Sequence, residues 1–490
     1  MTKNKTKRKS VHPEWVVLHR KPGTELRHIN NKYYLYEVSS KYDATLKRSK
    51  KITGKLLGRI TEEKGFVESS KNKLRKKAEQ PVIIDRLSTK EFGSQELVRR
   101  LASKHIKALE LEFGEDAKLL FIYAFFRLTE QAPIKNIPIY FTHSFLSEEW
   151  KDIKISDKSV SQLLRRVGCN REKIMNYQKH FTSEGEKILL DMTHILTHSR
   201  NIEGSQIGYN NSMTFEPQVN LMYLFSAKQH EPIYYRLLPG NIRDVKAFTL
   251  TMQECRLSNV VLIADKGFYS KKNIEILNEA KLKHIIPLQR VSSLIHYPAN
   301  NTTNKKMWDG YFTFNEKIIW YKKTENVTLY LNQELKIAEE KDYLKRVEAK
   351  KENYTIETFY EKQQHFGTLA LLTEPNNTKT AEDIYIEYKS RTNIETMFDA
   401  LKNTIDADRT YMQNNEALEG WMLVNHIALQ LYYTIYQKLL EQKLLKKYSV
   451  TDFLKFTHRI KKVKINDCWR LAEITKPVNA LLEKLNLHIT

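Results

Sequence analysis

The chain is 490 residues long, and at roughly 150 residues per domain that is about three domains. It carries 81 Lys and Arg against 58 Asp and Glu, a formal net charge of +23, with 41% hydrophobic and 11% aromatic residues. That apolar content excludes whole-chain disorder, and the charge surplus points to a polyanion, nucleic acid first and an anionic membrane surface second.

Cys169, Cys255 and Cys468 are far apart, odd in number and form no CxxC pair, which argues against a disulfide framework and a cysteine zinc site. No apolar run succeeds the opening MTKNKTKRKS, so no secretory signal is expected. No apolar stretch reaches the roughly 18 residues of a membrane span. Asn425, His426 and Gln430 interrupt the longest, Trp421 to Tyr436. A soluble intracellular protein is expected, without a membrane partner.

Along the chain, the first 80 residues are basic, with strand-like text at Tyr33–Val38 and Leu56–Ile60. Between them Lys47-Arg48-Ser49-Lys50-Lys51 reads either as a basic connection in a small β module or as a solvated charge run in an arm. From Gln95 to Thr129 the pattern turns helical. A sharply bounded helix comes next, with Ser156 as N-cap, Asp157 in the first turn and Gly168 as a stop. Another helix starts near Arg171. This pair either binds DNA as a helix-turn-helix or serves only to support the α/β segment C-terminal to it.

At residue 187 the texture changes. Ile188-Leu189-Leu190 runs into Asp191. Strands at Leu221–Phe225 and Ile233–Leu238 come after it, then a helix from Asp244 to Cys255. Val260–Ala264 runs into Asp265, Ser270 opens a helix, and His284–Leu288 is a further strand. Three strands, helix, strand, helix, strand, with continuous apolar strands, predict a helix-covered α/β sheet. Residues 290–365 break this rhythm with β-like text holding Trp308 and Trp320, then a Lys/Glu-rich helix. A strand at Thr368–Leu372, a long helix over 381–402, and helices from Glu416 to the end complete the chain. Basic stretches such as Lys461–Lys464 fall within that last helical part.

Asp191 and Asp265 each end an apolar run, where sites are built in open α/β sheets. A carboxylate there is costly unless it is paired or holds a metal. On the helix over 381–402, Arg391, Glu395 and Lys402 lie 3, 7 and 14 residues after Tyr388. At about 100° per residue all four fall within about 60° of arc. Ile394, Met397 and Leu401 form a separate apolar face. Such a stripe is compatible with an exposed face carrying an Arg391–Glu395 pair. Combined with two aspartates it makes a site. Three carboxylates can hold two Mg²⁺ ions. Two such ions stabilise the attacking and leaving oxygens of an in-line phosphoryl transfer. Arg391 and Lys402 supply positive charge for phosphate oxygens.

At these residues the sequence resembles insertion-sequence transposases of the DDE type marked by a Y-x2-R-x3-E-x6-K signature. YKSRTNIETMFDALK, Tyr388 to Lys402, matches it at all four positions, and Asp191-Met192-Thr193 matches the D-x-T form. Ala264-Asp265-Lys266-Gly267-Phe268 also stands in family form, and Pro239-Gly240-Asn241 with Asp244 resembles a further segment, so that Thr193, Asn241 and Asp244 are supporting residues. The resemblance covers roughly residues 185 to 410. It implies an RNase H-like mixed sheet flanked by helices, with a β-rich insertion at about 290–365 and additional N-terminal and C-terminal domains. The divisions expected are a basic DNA-binding module at 1–90, a helical domain at 91–184, the catalytic domain at 185–410 and a helical region at 411–490.

The resemblance further implies that Asp191, Asp265 and Glu395 are the catalytic metal triad, holding two Mg²⁺ ions for which Mn²⁺ can substitute. Tyr388, Arg391 and Lys402 would contact DNA near the cleaved phosphate. In such enzymes an insertion-domain Trp can stack on a flipped base, a contact worth about 1–3 kcal/mol. Trp320 is the first choice here and Trp308 the second, each equally readable as a core residue. The implied partners are double-stranded DNA, with terminal inverted repeats and target DNA, and a second copy of the chain in a synaptic complex. The implied place is the cytoplasm of a bacterial or archaeal cell.

His194 and His198 are four residues apart in strand-like text, where such positions do not converge on zinc. No glycine-rich phosphate loop is present. Two alternatives stay open: an RNase H-like metal-dependent nuclease that cuts without joining, and a non-catalytic DNA-binding derivative.

Overall fold

The computed structural model describes residues 11–43, 47–73, 87–183, 185–208, 215–242, 244–255, 257–298 and 305–489. The chain divides into two compact units, Met1–Leu87 and Ser88–Thr490.

The first unit is a four-stranded antiparallel sheet in sequence order: β1 (Thr24–Ile29), β2 (Lys32–Asp43), β3 (Arg48–Thr61) and β4 (Gly65–Glu68). Its small core is Val16, Leu26, Leu35 and Ile60. Arg48 to Lys51 belong to β3 itself. The basic run is therefore one side of a hairpin, not a connection. Its alternation of cations with Ser49 and Ile52 is compatible with a strand that is solvated on both faces.

The second unit is built on one large mixed sheet. β5 (Lys187–Thr197), β6 (Pro217–Ser226) and β7 (Glu231–Pro239) are consecutive antiparallel neighbours. β8 (Val261–Ala264) returns parallel to β5 on its other side, and β9 (Lys283–Pro287) lies parallel to β8. Parallel neighbours need crossovers. These are α-helices at Asp244–Cys255 and Lys271–Glu279, the latter capped by Ser270. The order β7-β6-β5-β8-β9 gives the expected mixed sheet flanked by helices. β6 is buried over nearly its whole length because helices cover both faces.

The β-rich segment after β9 adds to this sheet. β10 (Gly310–Phe314), β11 (Lys317–Lys323) and β12 (Val327–Asn332) form a meander. β12 pairs with β13 (Thr368–Thr373), which runs antiparallel to β9. The insertion is thus continuous with the main sheet. Trp308 is buried in the apolar cluster under these strands, with Leu329, Leu331 and Leu372, and Trp320 packs against it half-buried.

Helices before and after the sheet share one core with it. We label α1 (Ala117–Glu130), α2 (Asp157–Gly168), α3 (Arg171–Lys179), α4 (Asp244–Cys255), α5 (Lys271–Glu279), α6 (Ala381–Lys389), α7 (Thr392–Asp399) and α8 (Asn415–Glu441). α2 begins at Ser156, the N-cap that its sequence predicts, and the structure adds a reciprocal capping box with Ser159. Gly168 is helical and does not end α2 by a left-handed turn. A Cβ there would stand 1.8 Å from the Glu416 carbonyl oxygen, and one on Gly420 would stand 2.1 Å from that of Leu164. The two glycines let the backbones of α2 and α8 touch. α8 is apolar nearly all round and is buried from Ala417 to Leu431 save at Glu419, as a central helix must be.

Two sequence expectations fail here. The helix over 381–402 is broken. α6 stops at Lys389, Arg391 is the cap residue of α7, and Ala400–Thr404 is a π turn. The end of the chain is also not wholly helical. Lys461–Ile465 pairs with Cys468–Leu471 in a hairpin. Asn466 and Asp467 turn it with φ of 46° and 69°, the Asn-Asp chemistry of a tight type I′ connection. Lys462 lies 3.7 Å over the Phe92 ring, so the basic stretch has one face packed. No helix is long and apolar enough to cross a membrane among the described residues.

Candidate active site

Asp191 lies in mid-strand, since β5 continues to Thr197. The site forms there because its neighbour stops. β8 pairs in parallel with β5 up to Ala264↔Leu190, so Asp265, the next residue, stands level with Asp191. A two-residue period would face both side chains alike from adjacent parallel strands. The expectation of two strand ends is corrected to one strand end beside one continuing strand.

α7 brings the third carboxylate. Arg391 donates through Nη1 to Asp191 Oδ2 at 3.1 Å and through Nη2 to Glu395 Oε1. One guanidinium therefore ties the strand to the helix. Glu395 is half exposed, whereas Arg391 and Asp191 are largely covered. The apolar face holds: Ile394, Met397 and Leu401 are fully buried. This fixes the opposite face of α7 toward the carboxylates.

A cleft of about 1090 Å³ opens over these groups, lined among others by Asp191, Asp265, Arg391, Glu395 and Lys402. Lys402 reaches it from the π turn, a local widening often found at functional sites. Thr193 and Asn241 line the same cleft. Asp244 opens α4, and its side chain lies outside the described residues. Tyr388 is half-buried on the last turn of α6 and couples electrostatically to Arg391, Asp265 and Glu395. Trp320 does not line the cleft. Its ring lies 5.2 Å from that of Tyr311, with the Lys305 ammonium 5.8 Å away.

The electrostatics are those of crowded carboxylates around one cation. Burial pushes the Asp191 carboxyl up to about 6, Arg391 and the Met192 amide oppose this, and Asp265 and Glu395 add to it. Burial works against the Arg391 charge, but Asp265, Asp191, Tyr388 and Glu395 hold its guanidinium above its usual range. Burial pushes the Tyr388 phenol up and the Lys402 ammonium down. His194 also lines the cleft, and burial together with Lys402 lowers it to about 4, leaving a neutral ring at pH 7.

Sequence reading missed Lys266 and Gln289, which line the cleft as well. Lys266 is the residue directly after Asp265, and that adjacency could have found it. Gln289 lies just past β9 and has no sequence signature. Among the described residues, no three His, Cys, Asp or Glu side chains stand as a ready metal cluster. In this arrangement Arg391 bridges two of the carboxylates. The donor set is still all oxygen and anionic, which suits a hard divalent cation and not a thiolate-binding one.

Residues 182–431, just over half of the chain, match the family described as transposase DDE domain. No curated protein matches the chain. Among solved structures, it is similar to a piggyBac transposase synaptic complex with hairpin DNA, at a TM-score of 0.38 and 10% identity, over 74% of this chain and 70% of that one. A Mos1 transposase paired-end complex with a left transposon end is similar at a TM-score of 0.15 and 14% identity, over 35% and 57%. The extent of the family match gives the identification: the chain belongs to the transposase DDE domain family and is a DNA transposase, an enzyme of the kind that cuts and joins DNA using divalent metal.

Proposed function

We propose that the protein is the transposase of an insertion sequence, cutting the terminal inverted repeats of its element and joining them to target DNA. The observation that carries this is the convergence of Asp191, Asp265 and Glu395 on one cleft with Arg391 and Lys402 beside them. Asp191, Asp265 and Glu395 are the residues that would hold two Mg²⁺ ions, or Mn²⁺ in their place. Bound there, the ions would lower the charge cost of in-line phosphoryl transfer at both attacking and leaving oxygens.

The chain's own groups do the rest. Arg391 offers a planar fork that can turn from the carboxylates to two phosphate oxygens. Lys402 is a point charge on the same side of the cleft, and its burial strengthens its attraction for phosphate. Tyr388 stays a neutral hydroxyl donor, because burial raises its phenol. Thr193, Asn241 and Asp244 support the carboxylates. Trp320 is the candidate platform for an unpaired base. Residues 1–90 form the module that binds element ends, 91–184 and 411–490 buttress the catalytic domain at 185–410, and two copies pair the two ends.

The test is cleavage and strand joining on duplexes that carry the element's ends. Glu395→Gln and Asp265→Asn should each abolish both reactions while DNA binding stays close to parental. Cutting without joining by the parent would favour a nuclease. Full activity of Glu395→Gln would overturn the triad.

A further inference from the structure

β2 and β3 are much longer than the sheet they belong to. β1 pairs only with Lys32 to Glu37 of β2, and β4 only with Gly58 to Thr61 of β3. Beyond that, Val38–Asp43 and Arg48–Thr53 have no strand partner but each other, and at the base of the ribbon the Val38 N–H donates to the Gly23 carbonyl and Arg27 to the Thr53 hydroxyl. The two segments form a two-stranded ribbon with no buried residue. A lone ribbon without a packed face is marginal in water.

One of its side-chain pairs is also unfavourable in isolation, although Asp43 opposite Arg48 is a favourable one. Lys41 stands directly opposite Lys50. Directly opposed residues share a face, and like charges there destabilise the pair. Arg48 continues that face opposite Asp43. The other face carries Tyr42 opposite Ser49. Lys51 is engaged by Glu25 at 2.7 Å, whereas Lys41, Arg48 and Lys50 are exposed and make no ion pair among the described residues. Local rules broken without a fold-level gain mark a functional surface.

We propose that this ribbon, Val38–Asp43 with Arg48–Thr53, enters the major groove of B-form DNA, its Tyr42–Ser49 face turned to base edges and the long side chains of Lys41, Lys50 and Arg48 reaching sideways from the opposite face to the phosphates on the groove rims. This deepens the reading of residues 1–90 as the end-binding module and rests on it. Two strands about 4.8 Å apart fit a groove about 12 Å wide that is known to admit such ribbons. The groove's flanking phosphates supply the negative charge that relieves the Lys41–Lys50 repulsion. A-form RNA has a deep, narrow major groove that excludes the ribbon.

The test uses the full-length chain with three duplexes: one from an end of the element, a scrambled DNA of equal length, and an RNA duplex of the end sequence. Lys41→Ser/Arg48→Ser/Lys50→Ser should lower the slope of log affinity against log salt by about three, and Lys50→Ser alone by about one. Dimethyl sulfate reports guanine N7 in the major groove. The parent should protect guanines in the end duplex, and the triple variant should lose that protection. Asp265→Asn should protect like the parent, because it keeps the ribbon. If the parent protects but does not cut, the catalytic reading fails and the ribbon stands. Unchanged protection and slope in both ribbon variants, or equal parental affinity for the RNA duplex, overturn the proposal.

Discussion

Arg391 and Asp191 are 200 residues apart in the chain and 3.1 Å apart in the fold. The same guanidinium reaches Glu395 one turn along its own helix. A cation thus holds together the carboxylates that would otherwise repel each other, and burial of Asp191 makes that repulsion expensive.

This placement predicts a kinetic role for Arg391. Removing a preorganised donor from a transition-state site costs on the order of 10²–10³ in rate. A purely structural helical pair would cost only about 0.3–0.5 kcal/mol. Arg391→Ala and Lys402→Ala should therefore slow single-turnover cleavage at saturating protein by far more than they weaken DNA binding. Parental rates in both variants would reduce this helix face to a structural one.

Divalent metal should be limiting for chemistry and not for DNA binding. Chelation should stop cleavage, Mg²⁺ or Mn²⁺ should restore it, and gel-shift affinity should change little. Calorimetric titration of the parent with Mn²⁺ should give heat of binding, and Asp191→Asn/Asp265→Asn should not. Cleavage that survives chelation would remove the metal from the reaction.

The contact of α2 with α8 predicts a steep steric penalty. Gly420→Ala drives a Cβ to 2.1 Å from backbone at Leu164. Overpacking of this kind costs about 1–3 kcal/mol or more. Gly204→Ala is the control, since its Cβ would meet only ordinary contacts, the nearest at 3.5 Å. Denaturant midpoints should fall for the first and stay near parental for the second.

Glu91 predicts a pH dependence of stability. Burial raises its carboxyl from 4.5 to about 7, against hydrogen bonds from Ser94. The folded state therefore holds a proton that the unfolded state has released between those values. Its contribution is fully present below about 4.5 and is lost as pH rises through about 7, an effect of about 3 kcal/mol at most. The stability difference between parent and Glu91→Gln should move against the parent over that window and be level above it. A pH-independent difference would show that Glu91 is ionised in the fold.

Much of the protein is legible in its sequence because the relevant signals are local. The strand pattern from residue 187 to 288, the caps at Ser156 and Ser270, and the Tyr388–Lys402 spacing arise from neighbours a few residues apart. Charge composition alone points to a polyanion.

What needed the tertiary structure depends on contacts between distant segments. The sequence shows Asp191 closing an apolar run, but only pairing with β6 carries β5 on to Thr197. Only the parallel register with β8 brings Asp265 level with Asp191. A continuous helix from 381 to 402 satisfies local periodicity, yet the chain breaks it at Ser390–Arg391, where the guanidinium turns to carboxylates from elsewhere in the chain. Gly168 has the look of a helix stop, and only the crossing with α8 gives its reason. The Lys461–Lys464 run reads as helix by charge, while a two-residue turn and a partner strand make it a hairpin. Composition and periodicity fix which elements can form. Register, crossing and the bridging of charges are decided by packing, because they minimise an energy shared by residues that the sequence keeps far apart.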